Sequence, residues 1–335
     1  MTKRVAIRMK KIVILAFDGA LASAITGVVD LFAMAGVSWN RIQKQNVQRL
    51  FEVQIATQDG QAIQCINGIK LHADLAFQDI NLADVLIVPT IGAAINDVLQ
   101  RNERLIDFLK KYPVDRLIAG NCTGNFFLAE AGLLNERHAT THWGFQQMFS
   151  ERYPLVKLNT DQLISHDQNI YCAGGGLAWF DLGLHLIERF YGFDIAIQSA
   201  KSFVIDYRRD SQLSYSLLKI AKPHQDELVQ KIQDYLACHF HQNIALEDIA
   251  KTFNITTRTL IRHFKNALDV APNKYLQAIR VEAARKRLEE TDQAVDLIMQ
   301  QVGYSDPSSF RRLFHKKTGL TPLEYRRRFS RRFAV

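Results

Sequence analysis

From residue 11 onward, short apolar runs alternate with amphipathic stretches of helical period. The runs IVILAF (12–17), FEVQIAT (51–57), VLIVP (85–89) and RLIAG (116–120) are apolar, rich in β-branched residues and too short for helices. Each predicts a buried strand. Residues 25–35 and 95–111 have apolar positions three and four apart and predict helices between the strands. Apolar strands separated by helices predict a parallel sheet covered on both faces, and so a doubly wound α/β domain over residues 1–206. The polar stretch 207–226 predicts a linker, with an apolar middle at 213–220 that argues for partial packing.

From 227 the pattern is helical only, which predicts an all-α domain to 335. In ELVQKIQDYLACHF (227–240), Leu228, Ile232, Tyr235, Leu236 and Phe240 form one stripe. Two stretches then read as copies of each other, at 245–275 and 294–325. Ile249 aligns with Ile298 and Phe253 with Val302. After one inserted residue, Leu260 aligns with Phe310, Phe264 with Phe314, Pro272 with Pro322 and Tyr275 with Tyr325. Each copy predicts a short helix, a tight turn, a second helix and a proline stop, which is a helix-turn-helix present twice. Residues 272–292 predict a long helix joining the two, with Tyr275, Ile279, Ala283 and Leu288 on its inner side.

In the first copy Thr256 is the expected cap, and the outward face carries Thr257, Arg258, Ile261, Arg262 and Lys265. In the second, Ser305 or Asp306 caps and Pro307 fills the first turn, where a missing N–H costs little. Its outward face carries Ser308, Ser309, Arg311, Arg312 and His315. Short polar side chains with arginines suit base edges and phosphates in a major groove. A merely solvated face would serve for one copy. Two copies with matching cores, caps and stops favour a pair of DNA readers.

Charge agrees with this division. Residues 222–335 hold 20 Lys/Arg against 13 Asp/Glu, so +7 of the formal +8 lies there. A basic segment beside a neutral one points to a polyanion partner for that segment alone. The four cysteines (Cys65, Cys122, Cys172, Cys238) are scattered, with no CxxC pair, as in a reducing compartment. No apolar run approaches the roughly 18 residues of a membrane span. The basic start MTKRVAIRMKK leads into a strand-like run without a cleavage pattern, so the expectation is a cytoplasmic protein with no membrane partner.

The junction LIAGNCTGNFFLAEAGLL (117–134) predicts a strand, a sharp turn at Asn121-Cys122-Thr123-Gly124 and a helix over 126–134. That is the shape of a nucleophile elbow, where a helix dipole would lower the thiol pKa. A small cysteine buried in a βα turn is the alternative. CTGNFFLAEAGLLNERHATTHW resembles the elbow region of the PfpI-type, glutamine-amidotransferase-like superfamily, and IYCAGGGLAWFDLGLHLIERFYG (170–192) resembles its last strand and helix. The resemblance implies a flavodoxin-like fold, places Cys122 at the elbow and puts His142 at the position of a histidine often near it. Its active members carry a carboxylate after the first strand, and that position falls here on Ala24. Hydrolases among them usually have histidine after the cysteine, where this chain has Thr123. The resemblance thus implies a non-catalytic, vestigial elbow whose pocket is lined by Cys122, Thr123, Gly124, His142 and Trp143, with Asp18 and Gly19 opposite. Asp18 serves equally well as a turn residue.

VGYSDPSSFRRLFHKKTGLTPLEYR (302–326) is similar to the signature segment of the AraC/XylS family, with one difference just before it, at Met299-Gln300 after Ile298, where a small residue is usual. The two resemblances together match the arrangement called GlxA-like. They imply a transcription regulator, an activator or a repressor, that binds a double-stranded DNA operator. They further imply a homodimer, a small-molecule effector and contact with RNA polymerase, without cofactor or metal. The competing reading is a cysteine-dependent amidase, peptidase or lyase tethered to DNA.

Overall fold

The computed structural model describes residues 8–113, 115–207, 209–216 and 224–331. The chain divides into two compact units, 1–212 and 213–335. The division falls inside the stretch 207–226 expected as a linker.

The first unit holds a seven-stranded sheet: β1 Lys10–Leu15, β2 Phe51–Thr57, β3 Leu75–Ala76, β4 Val85–Val88, β5 Leu117–Asn121, β6 Ile164–Asp167 and β7 Ile170–Ala173. Their order is β6-β7-β5-β4-β1-β2-β3, parallel throughout except for the antiparallel edge strand β6. The four strands foreseen from apolar runs are β1, β2, β4 and β5. The last strand and helix implied by resemblance are β7 and α7. Helices in this unit are α1 Ser23–Met34, α2 Ser38–Ile42, α3 Ile95–Arg101, α4 Glu103–Lys111, α5 Asn125–Glu130, α6 Gln146–Arg152, α7 Ala178–Tyr191 and α8 Phe193–Phe203. One buried core joins sheet and helices.

Two helical expectations are corrected. The single helix 95–111 is broken at Asn102, whose side-chain amide donates to the Val98 carbonyl at 2.8 Å. That bond competes with the helical ladder, and Asn102 leaves helical geometry. The helix of 126–134 begins earlier, after a 3₁₀ turn Cys122–Gly124, and ends by Glu130.

The second unit contains α9 Glu227–His239, α10 Leu246–Thr252, α11 Thr257–Leu268, α12 Pro272–Glu290, α13 Val295–Gln301, α14 Pro307–Thr318 and α15 Pro322–Phe329. A 3₁₀ turn, Leu213–Tyr215, belongs to it as well. The rest of the apolar stretch, 217–220, lies outside the described residues. Two apolar cores form. The first gathers Ile232, Leu236, Ile249, Leu260, Phe264 and Tyr275. The second gathers Val281, Leu288, Ile298, Val302, Phe310 and Phe314. Helix α12 supplies residues to both, so each core takes half of one 19-residue helix. Ile279 and Ala283, placed on its inner side by spacing, are only partly buried, and Val281 and Ala284 take the deepest positions.

Candidate functional site: a strained elbow and a tandem helix-turn-helix

At the end of β5, Cys122 sits at φ 56°, in the left-handed region that non-glycine residues avoid. The elbow expected from sequence is therefore present. Gly124 is required by space, because a Cβ there would lie 2.3 Å from the Pro89 carbonyl oxygen. Around the turn, Thr123 Oγ1 donates to the Ile91 carbonyl and Asn121 donates to Thr90 Oγ1. The Asn125 amide donates to the carbonyls of Thr140 and Ala173, and Thr141 Oγ1 donates to the carbonyl of Cys122.

The thiol is 4% exposed. Burial pushes its pKa up, and the Thr123 and Gly176 N–H groups with the Thr123 and Thr90 hydroxyls offset that only in part. The expected lowering by a helix dipole is not found. Burial is the largest influence on the thiol, and α5 has only six residues. Among the described residues, the largest influences on the thiol are burial and these hydrogen bonds. Ala24 lies buried on α1.

His142 is half-buried, which lowers its pKa. Its Nδ1 accepts from the Gly144 N–H at 3.0 Å, capping the turn Trp143–Phe145, and its ring lies so close to Gly175 that a Cβ there would come within 2.2 Å of Cδ2. Trp143 is half-buried with its ring 5.3 Å from that of His142. On the other side, Asp18 accepts from the Gln64 N–H at 2.7 Å, while Gly19 donates to the Gln64 carbonyl and accepts from Gly92. Asp18 thus has a structural task in its turn.

Sequence reasoning missed Gln212. It is 2% exposed and sits in the stretch expected as linker. Its Oε1 accepts from the N–H groups of Gly175 (3.1 Å) and Trp143 (3.3 Å), and its Nε2 donates to the Thr141 carbonyl at 2.8 Å and to the Gln162 carbonyl at 3.2 Å. One side chain therefore ties together the two loops that flank Cys122. A cleft of about 840 Å³ also opens elsewhere in this unit, with His166, Tyr171, Asp181, His185, Arg189 and Arg209 in its lining. None of the pocket residues nominated from sequence lines it. Burial raises the Asp181 pKa against the opposing pull of its ion-pair partner Arg209.

In the second unit, Thr256 caps α11 by accepting from the Thr259 N–H at 3.1 Å. Asp306, rather than Ser305, caps α14, accepting from the N–H groups of Ser308 and Ser309. Leu260, Phe264, Phe310 and Phe314 are buried, as spacing required. On α11, Arg258, Ile261, Arg262 and Lys265 are exposed, and Thr257 is half-buried rather than fully outward. On α14, Ser308, Ser309, Arg311, Arg312 and His315 are exposed. Lys265 pairs with Asp269, and Arg311 with Asp296 at 3.3 Å. Met299, where a small residue is usual, is 2% exposed and fills the second core.

A doubly wound domain with a strained elbow, followed by paired and capped helix-turn-helix motifs, is the build of a DNA-binding transcription regulator. Residues 10–189 match the DJ-1/PfpI family and residues 249–328 match a helix-turn-helix domain. The chain belongs to the DJ-1/PfpI family. It is 29% identical over 281 residues to the HTH-type transcriptional regulator CdhR of Pseudomonas aeruginosa, covering 83% of this chain and 82% of that protein. It is 28% identical over 146 residues to an isonitrile hydratase of Pseudomonas putida, covering 43% of this chain and 62% of that one. A ThiJ/PfpI family structure from Pseudomonas syringae superposes with TM-score 0.51 at 18% identity, over 63% of this chain and 81% of that one, which supports the fold alone.

Proposed function

We propose that α11 and α14 read base edges of a double-stranded DNA operator, and that the first unit governs when they do so. The observation that carries this reading is the pairing of two exposed, arginine-bearing helices, each with a side-chain cap at its N-terminus, on one shared helix. Arg262 and Arg312 occupy equivalent positions and are the side chains that would reach guanine or phosphate. The first unit would act as a non-catalytic sensing and dimerising module. Its thiol is buried and raised in pKa, and the carboxylate position of active relatives falls on Ala24, which suits a nucleophile poorly. The pocket around Cys122, Thr123, Gly124, His142 and Trp143 is the proposed effector site, and Gln212 would link the state of its walls to the end of the unit. The 840 Å³ cleft is the competing location, since its size suits a small molecule and Arg209 lines it from the segment that ends the unit.

The test is to incubate the purified chain with random duplexes and sequence those retained. A shared sequence motif is the expected result, and Cys122→Ser should retain the same motif with unchanged affinity in reducing buffer. Retention of all duplexes equally would overturn operator reading, and loss of binding in Cys122→Ser would overturn the division of labour between units.

A further inference from the structure

The two readers do not merely share α12. At its middle, Arg280 reaches sideways into the chain that follows α9. Its Nε donates to the Phe240 carbonyl at 2.8 Å and a terminal nitrogen donates to the Gln242 carbonyl at 2.7 Å. The other face of the guanidinium lies 5.2 Å from the centre of the Tyr304 ring, which belongs to the turn of the second reader. Gly303, beside it, approaches the same point: a Cβ there would lie 2.8 Å from the Phe240 carbonyl oxygen, 3.0 Å from that of His241 and 3.1 Å from Arg280 Cζ. Phe240 itself packs against both cores. One planar cation thus joins three segments: the exit of α9 in the first module, the shared helix, and the turn between α13 and α14 in the second.

We infer that Arg280 is a positioning residue that fixes the spacing and phase of the two reading helices. The inference rests on the reading of α11 and α14 as DNA readers. A shared helix fixes distance along its axis, yet each module could still rock about that axis through its own packing. Two directional hydrogen bonds and a cation–ring contact in one rigid group restrain that rotation, and a lysine, with a single rotatable ammonium, does not reproduce them. The two readers gain from acting together only if the second meets its half-site at high effective concentration, which falls when their geometry is loose.

The experiment uses the full chain and a duplex selected from a random pool, with derivatives carrying either half-site alone and derivatives with one to five base pairs inserted between half-sites. Wild type should prefer the parent spacing sharply. Arg280→Ala and Arg280→Lys should bind each single half-site as wild type does, which also reports that both modules are folded. On the parent duplex they should lose about tenfold or more of the two-site advantage and respond weakly to insertions. If the variants keep the wild-type preference for spacing, the positioning role is overturned while operator reading stands. If single half-sites weaken as much as the parent duplex, Arg280 acts within one module only, and the inference is again overturned. A wild type that selects no common sequence would overturn the operator reading itself, and the role of Arg280 with it.

Discussion

The two readers are copies in sequence and differ in how each secures the same geometry. The turn of the first passes through Asn254 at φ 52° and α11 ends at Asp269 at φ 57°, whereas the second has Gly303 at φ 84° and Gly319 at φ 71° at the equivalent positions. The left-handed region costs little for Asn or Asp and nothing for glycine. Gly303 has a further reason, the backbone of 240–241 pressed against it. The caps differ too: a hydroxyl at Thr256 and a carboxylate at Asp306. The reading faces diverge most. Exposed Ile261 stands where the second copy has Arg311, and Arg258 where it has Ser308. Arg258 and Arg262 make no ion pair among the described residues, while Arg311 is held by Asp296. Duplication therefore preserved the core and the turn and released the surface to separate tasks.

The largest way to break this comparison is at the turns. Gly303→Ala should destabilise the second unit by on the order of 3 kcal/mol, through left-handed strain together with the clash against Phe240, while Asn254→Gly should change stability by less than about 1 kcal/mol. Urea unfolding followed by helical signal measures both, and equal effects would show that Gly303 is not held by close approach. Next come the equivalent arginines. Arg262→Ala and Arg312→Ala should each weaken binding to a selected duplex by about 1–3 kcal/mol, with Arg262 the larger, if each contacts a base. A loss that is the same on every sequence and flattens the salt dependence would assign that arginine to phosphate instead.

The smallest effect separates the caps by pH. The Asp306 carboxyl is held below its usual range by the hydroxyl and N–H of Ser309. A depressed folded pKa gives stability that is present above the unfolded value of about 3.9 and lost as pH falls through the folded one. The melting difference between wild type and Asp306→Ala should therefore shrink as pH falls below about 3.9. That between wild type and Thr256→Ala, about 1 kcal/mol, should stay constant, because a hydroxyl does not titrate there. Melting curves at neutral pH and in steps descending from about pH 4 decide it.

Much of this was legible in the chain. Runs such as IVILAF and VLIVP announced β1 and β4 because a strand covered on both faces must be apolar throughout. The Asn-Cys-Thr-Gly turn announced the elbow, and the repeat announced both helix-turn-helix motifs with their caps. Other features were hidden for a common reason. Asn102 breaks a helix with a side-chain bond that its composition does not reveal. The antiparallel edge β6 is too short and polar to stand out. Gln212 finds partners 37 to 72 residues away and Arg280 finds partners 38 and 40 away. A polar residue that works across such separations looks, in sequence, like any other surface residue. The thiol pKa was misjudged because burial depth is a property of the folded packing and not of the turn.

Helix α12 also bears on how the second unit folds. Neither core is closed without its half of the helix, since Tyr275 and Leu276 belong to one and Val281, Ala284 and Leu288 to the other. Unwinding one half removes turns that the other half needs for its hydrogen-bond ladder, and helix formation is cooperative. Each copy thus carries part of the folding free energy of its neighbour. The tandem is therefore expected to unfold as a single cooperative unit, with a loss in one copy felt by its twin.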